Sequence, residues 1–301
     1  MAKKQLTPDE YRAKLEKKEA KNKHFAQTLF KSLAVFLACV MAFSLVSISQ
    51  TLMLSVGNGG AATQTGTEDI KAGADDPTAD WGEDVITNDS TGVTEGGEKK
   101  PYSTIPEIVD LFNTSMNRIK GEAVKVTKNY EKRTVNQLEL PSALQSMGDT
   151  LINEVMKDDT EPIVYATKQE IRDNFMVPDQ DYVSCLKPED VKKAVFKDNG
   201  SEYEIYILVN DEKAPSAGSG VGSVFDVIET HEMKEKAPSF VKEFSTEYYN
   251  CVVKVKIDKQ TGRVTYANYS TPLYMDSTVD FMGTHRVIFG VTFEKDYTIE
   301  Y

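Results

Sequence analysis

The chain is poor in the residues that most catalytic and metal centres are built from: three His, three Cys and one Trp in 301 residues. His24 lies in a basic N-terminal stretch, and His231 and His285 have no partner at a metal-ligand spacing. The string His231-Glu-Met-Lys-Glu lacks the second His of a zinc-protease helix and reads as a solvated helical segment. Gly218-Ser-Gly-Val-Gly222 has neither the spacing of a dinucleotide loop nor the lysine of a P-loop, and reads as a mobile loop. Ser, His and Asp all occur, yet no nucleophile-elbow pattern singles out a Ser. These absences assign no catalytic, cofactor-binding or metal residue, and the expectation is a protein that is not an enzyme.

Charge is missing altogether from one stretch. Leu33 to Val56 runs 24 residues without a charged side chain, long enough as a helix, at roughly 36 Å, to cross a bilayer with some tilt. A cleaved signal peptide has a shorter apolar core followed by a small-residue cleavage site. A lipoprotein signal ending at Cys39 would leave most of the run beyond the cysteine. The expectation is an uncleaved transmembrane helix over 32–56, with Cys39 a small apolar residue within it. Residues 1–31 hold nine Lys or Arg against four acids, a net +5. A basic flank stays cytoplasmic, so the N-terminus is placed inside and residues 57–301 outside the cell membrane.

The rest is acidic, with net charges of −7 over 57–101 and −10 over 102–301, which argues against nucleic acid and against lying flat on anionic lipid. Residues 57–101 are rich in Gly, Thr, Asp and Ala, with Trp81 the one aromatic in the stretch. Such composition buries too little surface to offset its ordering entropy, and reads as a disordered acidic linker. Asp75, Asp76, Asp80, Glu83 and Asp84 lack the ordered spacing of an EF-hand and read as solvated charge.

Residues 102–301 suffice for one domain with its own core. Thr104 and Glu107 have capping-box spacing, with Pro106 in the first turn, and Ile105, Ile108, Val109, Phe112, Met116 and Ile119 follow at helical intervals. A pair of strands is expected at 123–129 and 134–140. Pro141-Ser142 then opens a second helix, with Leu144, Met147, Leu151 and Val155 on one face. Beyond Pro178 the period becomes two: Tyr203, Ile205, Ile207 and Val209; Cys251, Val253, Val255 and Ile257; Val287, Phe289, Val291 and Phe293. Asp258-Lys-Gln-Thr-Gly262 is a hairpin loop with Gly262 suited to a left-handed position. Helices first and strands afterwards predict an α+β class, early helices packed on a curved antiparallel sheet.

The segments Leu111-Phe-Asn-Thr-Ser-Met-Asn-Arg-Ile-Lys120 and Val253-Lys-Val-Lys-Ile-Asp-Lys-Gln-Thr-Gly-Arg-Val264 resemble membrane-anchored or lipoprotein-like extracytoplasmic domains of Gram-positive bacteria. Those are similar in organisation to the half-barrel lipid carriers of the LolA and LppX type. The resemblance implies a concave apolar sheet closed by helices, a site for an acyl chain or hydrophobic peptide. It carries no binding residue over by position, and the span departs from carriers that shuttle between membranes.

Two features are left open by the sequence. Cys185 and Cys251 lie outside the proposed span and could form a disulfide or remain separate thiols. Tyr203, Ile205, Val287 and Phe289 are candidates for an apolar ligand-facing surface, with ordinary core packing the alternative. Asn88, Asn113, Asn199 and Asn268 each head an N-x-Ser/Thr triplet, which matters only in a glycosylating host. The functional expectation is a single-pass anchored binding or scaffold protein for a lipid, peptide or envelope protein. The alternatives are a structural or sensory protein acting through residues 1–31, and an envelope hydrolase without a recognisable motif.

Overall fold

Three strands far beyond usual length set the architecture: Lys125–Glu139 (β2), Arg263–Asp280 (β9) and Thr284–Glu300 (β10). In the computed structural model they lie side by side, β9 and β10 forming an antiparallel hairpin roughly 55–60 Å long, with β2 along the free flank of β10. The structure describes residues 78, 81, 85–87, 101–140, 158–178, 180–228, 230, 241–280 and 283–301. All belong to one compact unit, Pro77–Tyr301. Among the described residues no helix is long and apolar enough to cross a membrane. The apolar run Leu33 to Val56, His24, His231 and the helix expected from Pro141 lie outside them.

The other strands are Val85–Ile86 (β1), Ile163–Tyr165 (β3), Val191–Asp198 (β4), Glu202–Val209 (β5), Glu212–Lys213 (β6), Val241–Tyr248 (β7) and Val252–Asp258 (β8). All pairings are antiparallel, and the order β1-β4-β5-β8-β9-β10-β2-β3 leaves the curved sheet open. The near half of β9 pairs with β8 and the far half with β7, which carries β6. The helices are Ile105–Asn117 (α1), the single turn Ile119–Glu122 (α2) and Lys168–Asn174 (α3). The α+β expectation stands.

α1 forms where periodicity places it and buries Ile105, Ile108, Val109, Phe112 and Met116 against β4 and β9. Its start differs from the expected box: the Thr104 side chain accepts no capping bond, and Glu107 Oε2 accepts the Ser103 N–H at 3.1 Å. The complete capping box is at α3, where Thr167 Oγ1 accepts the Glu170 N–H at 3.1 Å and Glu170 Oε2 accepts the Thr167 N–H at 3.0 Å. Polar residues of α1 also bind the chain: Asn113 donates to Leu186 O, and Asn117 accepts the Val183 and Ser184 N–H groups. The triplet at Asn113 is therefore taken up in packing.

Two expectations are corrected. The pair of strands at 123–129 and 134–140 is one continuous strand, because β10 pairs with the polar residues 130–133 as well. The residues left over in this long pairing, Asn129 and Asn136, are bulges; their side chains donate to Asp296 and Thr298, and to Thr292. The expected linker also contains ordered residues. β1 pairs with β4, and Trp81, only 6% exposed, packs with Val195 and Leu208 beside Val85, Tyr206 and Val252. Those sheet residues face outward, opposite the helices. The hairpin Asp258–Gly262 forms as read, with Gly262 at φ 66° donating its N–H to Asp258 O at 2.8 Å.

Candidate functional site

The helix-side face of the sheet carries a row of fully buried aromatics in edge-to-face contact. Phe175 meets Tyr297 at 5.0 Å, Tyr297 meets Tyr269 at 6.2 Å, and Tyr269 meets Phe225 at 5.8 Å between ring centres. Beside this row lies a charged cluster. The Asn129 bulge shifts the alternation of β2, so Lys128, Glu131 and Arg133 all face inward. Lys295 of β10 stands directly across from Glu131.

The cluster is internally matched, three cations with three carboxylates. Lys128 Nζ lies 3.0 Å from Glu131 Oε2 and 3.3 Å from Asp159 Oδ2, and Arg133 Nη2 lies 2.8 Å from Glu131 Oε1. Lys295 Nζ donates to Asp226 Oδ2 at 2.7 Å. Burial pushes the Glu131 carboxyl up, but Lys295, Arg133 and Lys128 outweigh it and hold the group down at about 2. For Lys295 burial opposes the charge, and the nearby Asp226 and Glu131 more than restore it, leaving its pKa raised. Both remain ionised at neutral pH.

Asp226 also fixes a strained loop. Its Oδ1 accepts the Val177 N–H at 2.9 Å, while Lys120 Nζ donates to the carbonyls of Val177, Gln180 and Tyr182 at 2.7, 3.1 and 3.1 Å. Val177 sits at φ 53°, a conformation costly for a β-branched residue and held only by surrounding bonds. The Tyr269 hydroxyl is buried and has no hydrogen-bond partner among the described residues. The cluster thus orders a loop against the sheet; its acids and bases neutralise one another, and no nucleophile is aligned with a base within it.

The predicted residues are dispersed. Ile205 is fully buried under the helix side, and Tyr203 stacks on Phe196 at 5.0 Å and Tyr102 at 5.6 Å, with Lys259 over its ring. Val287 is buried and Phe289 half-buried. All four face inward, but the cross-strand row through Ile205 reaches β10 at Tyr297, eight residues or roughly 26 Å from Phe289. They do not line one surface.

Cys185 and Cys251 are free thiols, the second of the two arrangements left open by the sequence. Cys185 Sγ contacts Gly218 O and Ser223 O, whereas Cys251 is sealed beside Tyr249 O and Pro272 O, where burial raises its pKa. The glycine loop is pinned, not mobile: Gly218 N–H donates to Gly222 O, and Glu212 Oε2 accepts the Val221 N–H at 2.8 Å. A carboxylate of the chain itself thus occupies a backbone donor that a phosphate would need. His285 pairs opposite Val279 near the tip of the hairpin, and among the described residues no group of His, Cys, Asp and Glu could hold a metal.

Sequence reasoning missed the charged cluster because it split β2 at the residues that build it. The signal was there in an unusual form: Lys128, Glu131 and Arg133 alternate only if one residue between Lys128 and Glu131 is set aside. No family model, curated protein or solved structure matches the chain.

Proposed function

We propose that the chain is a single-pass, membrane-anchored binding or scaffold protein whose extracytoplasmic sheet domain engages an envelope protein at its outermost edge. The uncharged run Leu33 to Val56 and its basic flank support the anchor. The observation that carries the binding reading is the contrast between the two parts of the sheet. The inner face buries Tyr269, Tyr297, Phe175 and Ile205 beside the Lys295 cluster. Among the described residues the exposed large hydrophobics are Ile163 (37%) and Val164 (52%) on β3 and Val124 (59%) just before β2. An outermost strand offers backbone donors and acceptors to an added strand, and apolar side chains there reward the addition. A carrier of the LolA and LppX type would instead hold its ligand on the inner face, which is why a protein partner is preferred to an acyl chain.

The test is a photoreactive amino acid at Val164 in the full chain in intact cells, with Lys256 on the outer face as the control position. A discrete adduct from Val164 alone, lost on Ile163→Asp, supports the reading. Equal labelling from both positions, or none from either, counts against it. Release of the chain from membranes by an alkaline wash removes the anchoring half.

A further inference from the structure

The sheet is not joined directly to the stretch that precedes it. Thr78, Trp81, Val85 and Ile86 are laid onto its edge before the chain proceeds to α1. Val85 and Ile86 pair with Val195 and Ala194 of β4. Trp81 covers Val195 and Leu208 and meets the Tyr206 ring at 5.5 Å. Thr78 Oγ1 accepts a hydrogen bond from Lys193 Nζ at 2.9 Å. Charge borders this apolar seat: Lys254 pairs with Glu204 at 2.8 Å and lies over the Tyr206 ring.

We infer that Thr78, Trp81, Val85 and Ile86 form a releasable latch in series between the anchor and the sheet, giving the connection a short docked length and a longer released one. The inference rests on the anchored reading above. Its basis is chain order and size. Any pull from the N-terminal side reaches Thr78 before any other described residue. The contacts it meets there are a two-residue strand and one aromatic on a cluster separate from the helix-side core. Small units at a sheet edge open locally while the core stays folded. Opening from 78 to 87 frees ten residues, about 35 Å of extended chain, and bares both the β4 edge and the seat of Trp81.

Trp81 is the one Trp in the chain, so its emission reports the latch alone. The experiment is urea titration of the full chain in detergent micelles, following Trp81 emission and the circular dichroism of the sheet on the same samples, with Trp81→Ala in parallel. The latch requires Trp81 to move to a solvent-exposed spectrum at lower urea than the loss of sheet signal, and Trp81→Ala to leave the sheet midpoint in place. Superimposed transitions, or a lowered sheet midpoint in Trp81→Ala, overturn it. Membrane retention of the same chain after an alkaline wash is scored separately. A chain that washes off defeats the anchor while the two urea curves still decide the latch.

Discussion

Lys128 and Glu131 stand three residues apart on one β-strand and yet pair at 3.0 Å on the same face. In an unbroken strand they would point to opposite sides. Asn129 is the residue that makes the difference: it is skipped in the pairing with β10, and its side chain is tied to Asp296 and Thr298 on the outer face. Replacing it by a residue unable to donate there, as in Asn129→Leu, is expected to destabilise the fold by about 1–3 kcal/mol through the unsatisfied acceptors it leaves. Urea midpoints measure this. A Leu variant as stable as the parent would show that the bulge holds without its side chain.

The Lys295–Asp226 pair is hydrogen-bonded and mostly buried, with side chains 15% and 12% exposed, so removing one partner strands the other. Asp226→Asn is expected to cost about 3–5 kcal/mol, and Lys295→Met a similar amount, with the double variant far less unstable than the sum. Asp226→Asn also weakens the bond that holds Val177 at φ 53°, so it should raise protease cleavage near Val177 more than Lys295→Met does. Additive losses in the double-mutant cycle would mean that the two charges do not depend on each other.

Glu131 sets an acid limit. Its folded pKa of about 2 lies below the ordinary 4.5, so its contribution is fully present above about pH 4.5 and is lost as pH falls towards 2. The depression corresponds to about 3 kcal/mol. Glu131→Gln should flatten the loss of stability between pH 4.5 and 2 while lowering stability at pH 7. Chemical denaturation across that range decides it, and an unchanged pH slope would contradict the assignment.

Glycine substitutions separate packing from conformation. A Cβ on Gly222 would fall 2.2 Å from Ser216 O, whereas one on Gly121 would meet nothing within 4 Å. Gly222→Ala should therefore be strongly destabilising. Gly121→Ala, within the short helix α2, should be neutral or stabilising by up to about 1 kcal/mol. Thermal melts of both variants give the comparison, and equal shifts would contradict the close approach at Gly222.

With no disulfide between Cys185 and Cys251, reductant should leave the melting temperature unchanged, and a native thiol titration should leave Cys251 unreacted. A drop in melting temperature on reduction would restore the bridge.

Much of the fold was legible where one period ran unbroken. α1, the alternation of β5, β8 and β10 and the Asp258–Gly262 hairpin follow from spacing, because the apolar period of each is continuous and each turn residue has a local reason. What spacing hid was long-range. β2 reads as two strands until β10 supplies partners for Tyr130 to Arg133. Trp81 looks like a lone aromatic in a polar stretch until Val195 and Leu208, more than a hundred residues later, provide its seat. The Lys295 cluster draws on four separated parts of the chain, and no local pattern brings Asp226 to Lys295.

An inner face filled by its own side chains leaves a partner to bind outside it. Native mass spectrometry of the full chain, extracted from membranes and released from micelles, followed by solvent extraction, tests this most directly. The expected result is the mass of the chain alone once loosely held detergent and lipid are stripped. A stoichiometric lipid or peptide that survives stripping and is recovered by extraction would contradict it and place the ligand within the sheet.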